Sequence, residues 1–439
     1  MQALNIVDRP LSDLRPNKNN ARSHSKRQIE QIAVSIQEFG FNNPVLVDEN
    51  EMVIAGHGRL EAAKLLGRLV VPTIRLAHLT DQAKAAYILA DNRLAELAGW
   101  DRDILAIELQ NLLDCNLSFE LSDIGFETAE VDFLLQEIAS STEPDPADEG
   151  VNSYAGPAIS SRGDLWLIGE HRLYCADALV TGSYETLMAG ELAQMAFADP
   201  PYNVPIAGHV SGLGKARHDE FVMASGEMSE GEFTRFLSTA FRRMAAFSSD
   251  GSIHFVCMDW RHLFELLRAG RIAFSELKNL CVWAKANGGM GSLYRSQHEL
   301  IAVFKNGSLP HVNNVELGKN GRYRTNVWSY PGMNSFQTDR NEKLAMHPTV
   351  KPVAMVGDAI LDCSDRGRII LDPFAGSGTT ILAAERVGRR CYSLELDPRY
   401  VDVALRRVRD IVGIEPVCQQ NGRKFSELEA AAAGEVSAS

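Results

Sequence analysis

The stretch RIILDPFAGSGTTILAAERVGRRCYSLELD (368–397) constrains the fold more than any other part of the sequence. Ile369, Ile370 and Leu371 form a short apolar run that stops at Asp372 and enters the turn Phe374-Ala375-Gly376-Ser377-Gly378. A helix opens at Thr379 and Thr380, and a second apolar strand ends at Glu395. Glycines in such a turn let backbone approach a ligand closely, and the helix start offers free N–H groups. Glu395 falls about 20 residues past the turn, where a nucleotide-fold carboxylate binds ribose hydroxyls. The pattern predicts a βαβ nucleoside site. It lacks the lysine of a phosphate-cradling G-x-x-x-x-G-K-[ST] loop, which argues against triphosphate hydrolysis. Acids at both strand ends suit a neutral or cationic ligand with ribose hydroxyls, so S-adenosylmethionine, a sulfonium without phosphate, fits better than NAD or ATP.

A second motif, Asp199-Pro200-Pro201-Tyr202-Asn203, follows the apolar strand Met195 to Ala198. The exocyclic amine of adenine or cytosine is a poor nucleophile because its lone pair is delocalised into the ring. Acceptors must hold its N–H bonds while nitrogen pyramidalises toward an arriving methyl group. The Asp199 carboxylate and the rigid Pro200 carbonyl can be those acceptors, with Tyr202 as a stacking face for an extruded base. Extrusion costs a few kcal/mol, which stacking and hydrogen bonding must recover. Either motif alone could be a tight turn.

Together, D-P-P-Y and F-x-G-x-G are the two signatures of the DNA amino-methyltransferases, and the chain resembles that family over about 160–412. Asp199 precedes the Gly loop, and His347-Pro348-Thr349-Val350-Lys351-Pro352 comes before the LDPF segment, an order similar to the circularly permuted β class. The resemblance implies an α/β, Rossmann-like methyltransferase with a mostly parallel sheet, in which two adjacent strand ends meet at a topological switch point. It implies catalytic roles for Asp199, Pro200, Pro201 and Tyr202. It further implies a cofactor pocket lined by Asp372, Phe374, Gly376, Gly378 and Thr379, with Glu395 on the ribose, Thr349 and Lys351 near the methionine moiety, and Asp177 on the cofactor adenine. Asp rather than Ser at 199 points to adenine N6, with cytosine N4 as the alternative.

Cytosine C5 chemistry needs an attacking thiolate, typically from a Pro-Cys dipeptide, and none occurs. The seven cysteines are scattered without a C-x-x-C pair, so they read as core thiols, and no metal site is suggested. A composition of 45% hydrophobic and 23% charged residues is that of a multidomain globular protein, and no apolar window is long enough to cross a membrane. A cytoplasmic location is the default expectation.

The net charge of −13 is unfavourable for a DNA partner, because Lys and Arg normally neutralise phosphates. A local basic excess compensates: Lys285, Arg295, Lys305, Lys319, Arg322, Arg324, Arg340 and Lys343 outnumber four acids in 285–346. Residues 204–346 therefore read as including the region that recognises double-stranded DNA. Trp283, Phe304 and His254 read as core instead.

Residues 1–140 resemble an α+β ParB/sulfiredoxin-like domain through Leu14-x-Pro16, Asn19 to Arg22, Phe39-Gly40, Pro44-Val45 and Ala55-Gly56-His57-Gly58-Arg59. In that family the Gly–Arg corner at a helix start binds nucleotide phosphates, which implies a nucleotide at Gly56 and Arg59. His57 and Gly58 replace the usual Glu and Arg, which disfavours hydrolysis. Residues 141–161, rich in Pro, Gly, Ser and acids, read as a linker, 162–412 as the methyltransferase domain, and 413–439 as a partly disordered tail. Class relatives often dimerise, so a homodimer is a further expectation. Two other readings remain: a ParB-like DNA- or nucleotide-binding protein with an accessory methyltransferase domain, and RNA as substrate. A restriction partner and the recognition sequence are not legible in the chain.

Overall fold

The computed structural model describes residues 4–18, 20–115, 117–139, 146–148, 157–203, 226–285, 288, 293–315, 323–331 and 350–438. The chain divides into two compact units, Met1–Ser140 and Ser141–Ser439.

In the first unit four strands, β1 (Ile6–Pro10), β2 (Val45–Val47), β3 (Val53–Ala55) and β4 (Val70–Arg75), form a sheet ordered β1-β4-β2-β3. The apolar spacing of 27–40 yields the helix Lys26–Phe39, capped by Ser25 accepting from the Gln28 N–H and ended by Gly40 at φ 86°. The second helix, His57–Leu65, starts directly from Gly56 at φ 97°. Asp81–Leu97 and Arg102–Leu113 follow, and Thr128–Ala139 adds a helix that periodicity does not single out. The last two share a small core of Ala106, Leu109, Leu121, Val131 and Leu134.

The second unit is built on ten strands: β5 (Leu165–Ile168), β6 (His171–Cys175), β7 (Ala193–Ala198), β8 (Ser248–Met258), β9 (Glu276–Ala284), β10 (His298–Lys305), β11 (Val327–Ser329), β12 (Ile369–Asp372), β13 (Arg390–Glu395) and β14 (Val417–Cys418). Their order is β11-β9-β10-β8-β7-β12-β13-β6-β5-β14. The five central strands β8-β7-β12-β13-β6 are all parallel, flanked by antiparallel pairings on both sides. Parallel strands covered on both faces read as apolar runs, as Met195–Ala198 of β7 and Ile369–Leu371 of β12 do. The direction in which successive strands are laid down across the sheet reverses between β7, which leads outward to β8, and β12, which leads the other way to β13. That is a topological switch point, where ligands bind beyond the carboxyl ends of the strands.

The interval 204–346 is less of a separate region than the sequence suggests. Its described part contributes β8, β9, β10 and β11 to the main sheet, with the helices Glu230–Ala246 and Leu263–Ala273 between them. Trp283, Phe304 and His254 are buried, as expected of core residues. The glycine-rich GLGKARH (212–218) lies outside the described residues, as do Lys319, Arg322, Arg340 and Lys343.

Past residue 413 the structure corrects the expectation of a frayed tail. Val417 and Cys418 pair with β5, and a helix spans Phe425–Ala438. The composition is small and acidic, but Phe425 is fully buried edge-on against Trp166, and Arg406 and Arg409 both donate to Glu429. One aromatic anchor and a paired carboxylate hold what alanine content alone would leave loose. No helix among the described residues is long and apolar enough to cross a membrane.

Candidate active site

Strand register determines which predicted residues meet. Ile370 pairs with Met195 and Leu371 with Ala196, so β7 and β12 end side by side. Asp199 therefore leaves one strand tip beside Asp372 and the Gly loop on the next. Glu395 ends β13, the following neighbour, and the Glu395 carbonyl accepts from Ala176 N–H, which places Asp177 at the tip of β6. Strands lie about 4.8 Å apart, so the β7 and β13 tips are separated by roughly 10 Å. The acids expected at the cofactor and at the target thus line one edge in the order Asp177, Glu395, Asp372, Asp199. Thr349 lies outside the described residues.

The Gly loop is drawn tightly onto β13. Ala375 N–H donates to the Leu394 carbonyl at 2.9 Å and Gly376 N–H to Glu395 Oε2 at 2.8 Å. Gly376 and Gly378 sit at φ 50° and 80°, where a side chain is strained. A Cβ on Gly378 would lie 2.9 Å from the Ala404 Cβ, whereas one on Gly376 would meet nothing within 4 Å. Gly378 is thus required by helix packing, and Gly376 faces open space. Asp372 accepts from Phe374 N–H at 3.0 Å and from Thr380 Oγ1 at 2.6 Å. Phe374 packs at the rim, its ring 6.1 Å from Phe236.

Beneath the loop lies a residue that motif reading misses. Arg407, buried on the helix Pro398–Val412, donates to the Ser377 carbonyl, Ser377 Oγ and Thr379 Oγ1 at 3.1, 3.0 and 2.8 Å, and to the Ala147 carbonyl at 2.7 Å. An arginine inside the buried stripe of an amphipathic helix is the signal that could have found it. On the same helix Asp402 accepts from the Ile159 and Ser160 N–H groups, so the end of the presumptive linker is pinned.

S-adenosylmethionine fits this donor set. Burial lifts the carboxyls of Asp372 and Glu395, each up to about 7. Among the described residues their partners are backbone N–H groups and one hydroxyl, the latter from Thr380, with no cationic side chain. Such a pair suits ribose hydroxyls and a positive sulfonium, and would repel phosphate.

At the β7 tip, Tyr202 Oη donates to Asp199 Oδ1 at 2.6 Å. Lys351 Nζ donates to Asp199 Oδ2 at 2.6 Å and lies 3.2 Å from Glu299 Oε2. Lys351, expected near the methionine moiety, is thus bonded to the residue expected to be catalytic. Its ammonium lies 5.4 Å from the Tyr202 ring centroid. Pro200 is buried and Pro201 half-buried behind Asp199, and Asn203 turns the chain at φ 54°. Asn203 is held by Gly226 and Met228 N–H groups donating to its Oδ1 and by its own Nδ2 donating to the Met228 carbonyl.

Glu299 was legible only as one charge in a mixed run. It arrives here because β10 runs antiparallel to β8 and so begins at the edge where β8 ends. Lys285 follows the end of β9 at the same edge and donates to Glu299. Lys285 and Arg324, expected in a DNA-facing patch, are engaged internally, Arg324 with Asp358 and Asp362 at 3.1 Å each. Both are cations near buried carboxylates, where pairing offsets the desolvation cost. Among the described residues no cluster of His, Cys, Asp and Glu is arranged to hold a metal.

The paired strand tips, one with a carboxylate and two prolines and the other with a glycine bend, define a DNA methyltransferase of the N6/N4 class that uses S-adenosylmethionine. Residues 193–406 match the family model described as DNA methylase, 1–93 the ParB N-terminal domain, and 103–162 the ParB-methyltransferase HTH domain. Residues 193–406 are thus similar to the N6/N4 DNA methylases, and the chain carries an N-terminal ParB-like domain.

The type II methyltransferase M2.MboI of Moraxella bovis is 25% identical over 230 residues, covering 50% of this chain and 82% of that protein. The ParB-like nuclease domain-containing protein YnaK of Escherichia coli (strain K12) is 51% identical over 83 residues, covering 19% of this chain and 95% of YnaK. The crystal structure of the M1.HpyAVI–SAM complex is 19% identical, covering 54% of this chain and 98% of that one, with a TM-score of 0.39. The HTH match spans both the helices after Arg102 and the stretch that composition marks as a linker.

Proposed function

We propose that this protein methylates adenine N6 of a base flipped out of double-stranded DNA. The observation that carries the reading is the carboxylate of Asp199 at a strand tip directly beside the tip that bears the Gly loop. When bound, S-adenosylmethionine supplies an electrophilic methyl group. Asp199 and the Pro200 carbonyl accept the two N–H bonds of the amine, Pro201 stiffens the turn, and Tyr202 supports the base from one side. Asp199 would take the proton that the amine nitrogen gives up once it has received the methyl group, the cofactor leaving as the neutral thioether.

Asp372, Phe374, Gly376, Gly378 and Thr379 form the pocket wall, Glu395 holds the ribose and Asp177 the adenine of the cofactor. The choice of adenine over cytosine N4 rests on Asp rather than Ser at position 199. Single-molecule sequencing of DNA from cells that express the protein tests it. N6-methyladenine at a fixed motif is expected, and N4-methylcytosine instead would overturn the adenine assignment.

The pocket wall carries a pH signature. In the unfolded chain Asp372 and Glu395 titrate near pH 4, but in the folded protein only at about 7. Between those values the folded state binds more protons, so these two groups lower stability as pH rises through the window. A cation bound between them favours their ionised forms. S-adenosylmethionine should therefore raise the melting temperature more at pH 8 than at pH 6. Thermal unfolding with and without it at both pH values checks this, and equal shifts would contradict it.

For the first unit we propose a nucleotide site at Gly56 and Arg59. A cavity of about 180 Å³ is lined by Arg22, His24, Gly56, His57, Arg59 and Asp91, among others, at the start of the helix His57–Leu65. Arg59 Nη1 donates to the Asn43 carbonyl at 2.8 Å, which fixes the guanidinium there. Arg59→Ala should weaken binding of nucleoside triphosphates about tenfold or more, as loss of one charge-assisted contact predicts. Unchanged affinity by equilibrium dialysis would remove this assignment.

A further inference from the structure

Asp199 must remain an acceptor for the amine, yet both its oxygens already take hydrogen bonds, one from the Tyr202 hydroxyl and one from the Lys351 ammonium. A cation clamped on this carboxylate works against the reaction. It neutralises the acceptor, and it lies close to where positive charge develops on the amine nitrogen as the methyl group arrives. The structure contains a counterweight. Glu299 Oε2 lies 3.2 Å from the same Lys351 Nζ, and the Tyr202 hydroxyl can also donate to Glu299 Oε2 at 3.2 Å. Both donors that occupy Asp199 therefore have a second acceptor within reach, and it is the same one.

We propose that Glu299 is a positioning residue that draws the Lys351 ammonium and the Tyr202 hydroxyl away from Asp199, leaving that carboxylate free to accept the N–H bonds of the target amine. The inference rests on the assignment of Asp199 as acceptor made above. Lys285 completes the arrangement by donating to Glu299 from its other side, giving two carboxylates and two ammoniums in one cluster. With Glu299 present, an N–H from the base can displace the Tyr202 O–H without orphaning a buried phenol. Without it, the hydroxyl has no alternative partner in the cluster among the described residues, and a donor left unpaired away from water is costly.

The electrostatics agree with this geometry. Burial pushes Glu299 up, but Lys351 and Lys285 overrule it and bring it down to about 2, so it is ionised at any working pH. Burial also pushes Asp199 up, opposed by Lys351 and reinforced by the charge of Glu299. The other groups facing the cluster among the described residues are Cys257 on β8, whose thiol burial holds well above its usual value, and Asp372 on β12.

The test is Glu299→Gln in the full-length protein, with single-turnover methyl transfer to DNA followed across pH and S-adenosylmethionine binding measured by calorimetry. The side chain keeps its size and one acceptor oxygen but loses its charge. The plateau rate should fall at least about tenfold. The acid limb of the profile should move to lower pH, because removing a neighbouring negative charge lowers the proton affinity of Asp199. Cofactor affinity should not change. Lys285→Met should move the acid limb the opposite way, since it removes a positive charge from the cluster.

A Gln variant with an unchanged plateau overturns the proposal. So does a lower plateau whose acid limb stays in place, since that reports damage to packing alone. Weakened cofactor binding does as well, because it would make Glu299 part of the cofactor scaffold. If the unmodified protein transfers no methyl to DNA, the assignment of Asp199 fails, and that outcome is distinct from all three.

Discussion

Replacing Asp199 with Ala should reduce methyl transfer to DNA at least about 1000-fold while S-adenosylmethionine still binds, an effect in the range found when a preorganised electrostatic partner of a transition state is lost. Pro200 would supply only one of the two acceptors that let the amine pyramidalise. The nearest remaining carboxylates are unsuited to substitute: Glu299 is bonded by Lys285 and Lys351, and Asp372 by Thr380 and the Phe374 N–H. The substitution also leaves Lys351, 4% exposed at its side chain, facing the amine with its charge no longer shared by Asp199. Single-turnover rates together with calorimetric cofactor titration separate the two functions. A variant that retains a tenth of the normal rate would show that the acceptor is another group.

The second large effect is expected at Glu395. Its carboxylate is held in place by the Gly376 and Asp397 N–H groups at 2.8 and 2.9 Å, which fixes its orientation at the end of β13. Hydrogen bonds to a charged acceptor contribute about 1.5–3 kcal/mol each. Loss of the proposed ribose contacts in Glu395→Ala should therefore weaken S-adenosylmethionine binding about 100-fold, equivalent to about 2.7 kcal/mol. Glu395→Gln keeps one oxygen and the shape of the side chain and should lose less. Calorimetry on both variants checks the order, and an Ala variant with near-normal affinity would place the ribose elsewhere.

The division between what the sequence revealed and what it concealed follows from locality. Asp199, Tyr202, the Gly loop and Glu395 each sit at the end of a short apolar strand, so their chemistry and their strand ends are adjacent in the chain. Even the contact between the two motifs was accessible, because their order suggested a permuted sheet whose middle strands are neighbours. Glu299, Lys285 and Arg407 were not accessible in this way. Glu299 and Lys285 reach the site only through the antiparallel return of β9 and β10 along β8. A single acid at the start of the otherwise apolar Leu300 to Phe304 was the available hint. Arg407 and Phe425 were concealed by their surroundings, the first by a helix that carries three other arginines and the second by an alanine-rich tail. Lys351 belonged to a recognised motif, yet its bond to Asp199 depends on a fold contact across 152 residues of chain.

Methyl transfer requires donor and acceptor to meet at two neighbouring strand tips, and the most direct measurement supplies S-adenosylmethionine with an isotopically labelled methyl group and double-stranded DNA to the purified protein. After digestion to nucleosides, mass spectrometry should find the label in N6-methyladenine. DNA recovered without any labelled nucleoside, from protein that binds both the cofactor and the duplex, would contradict it.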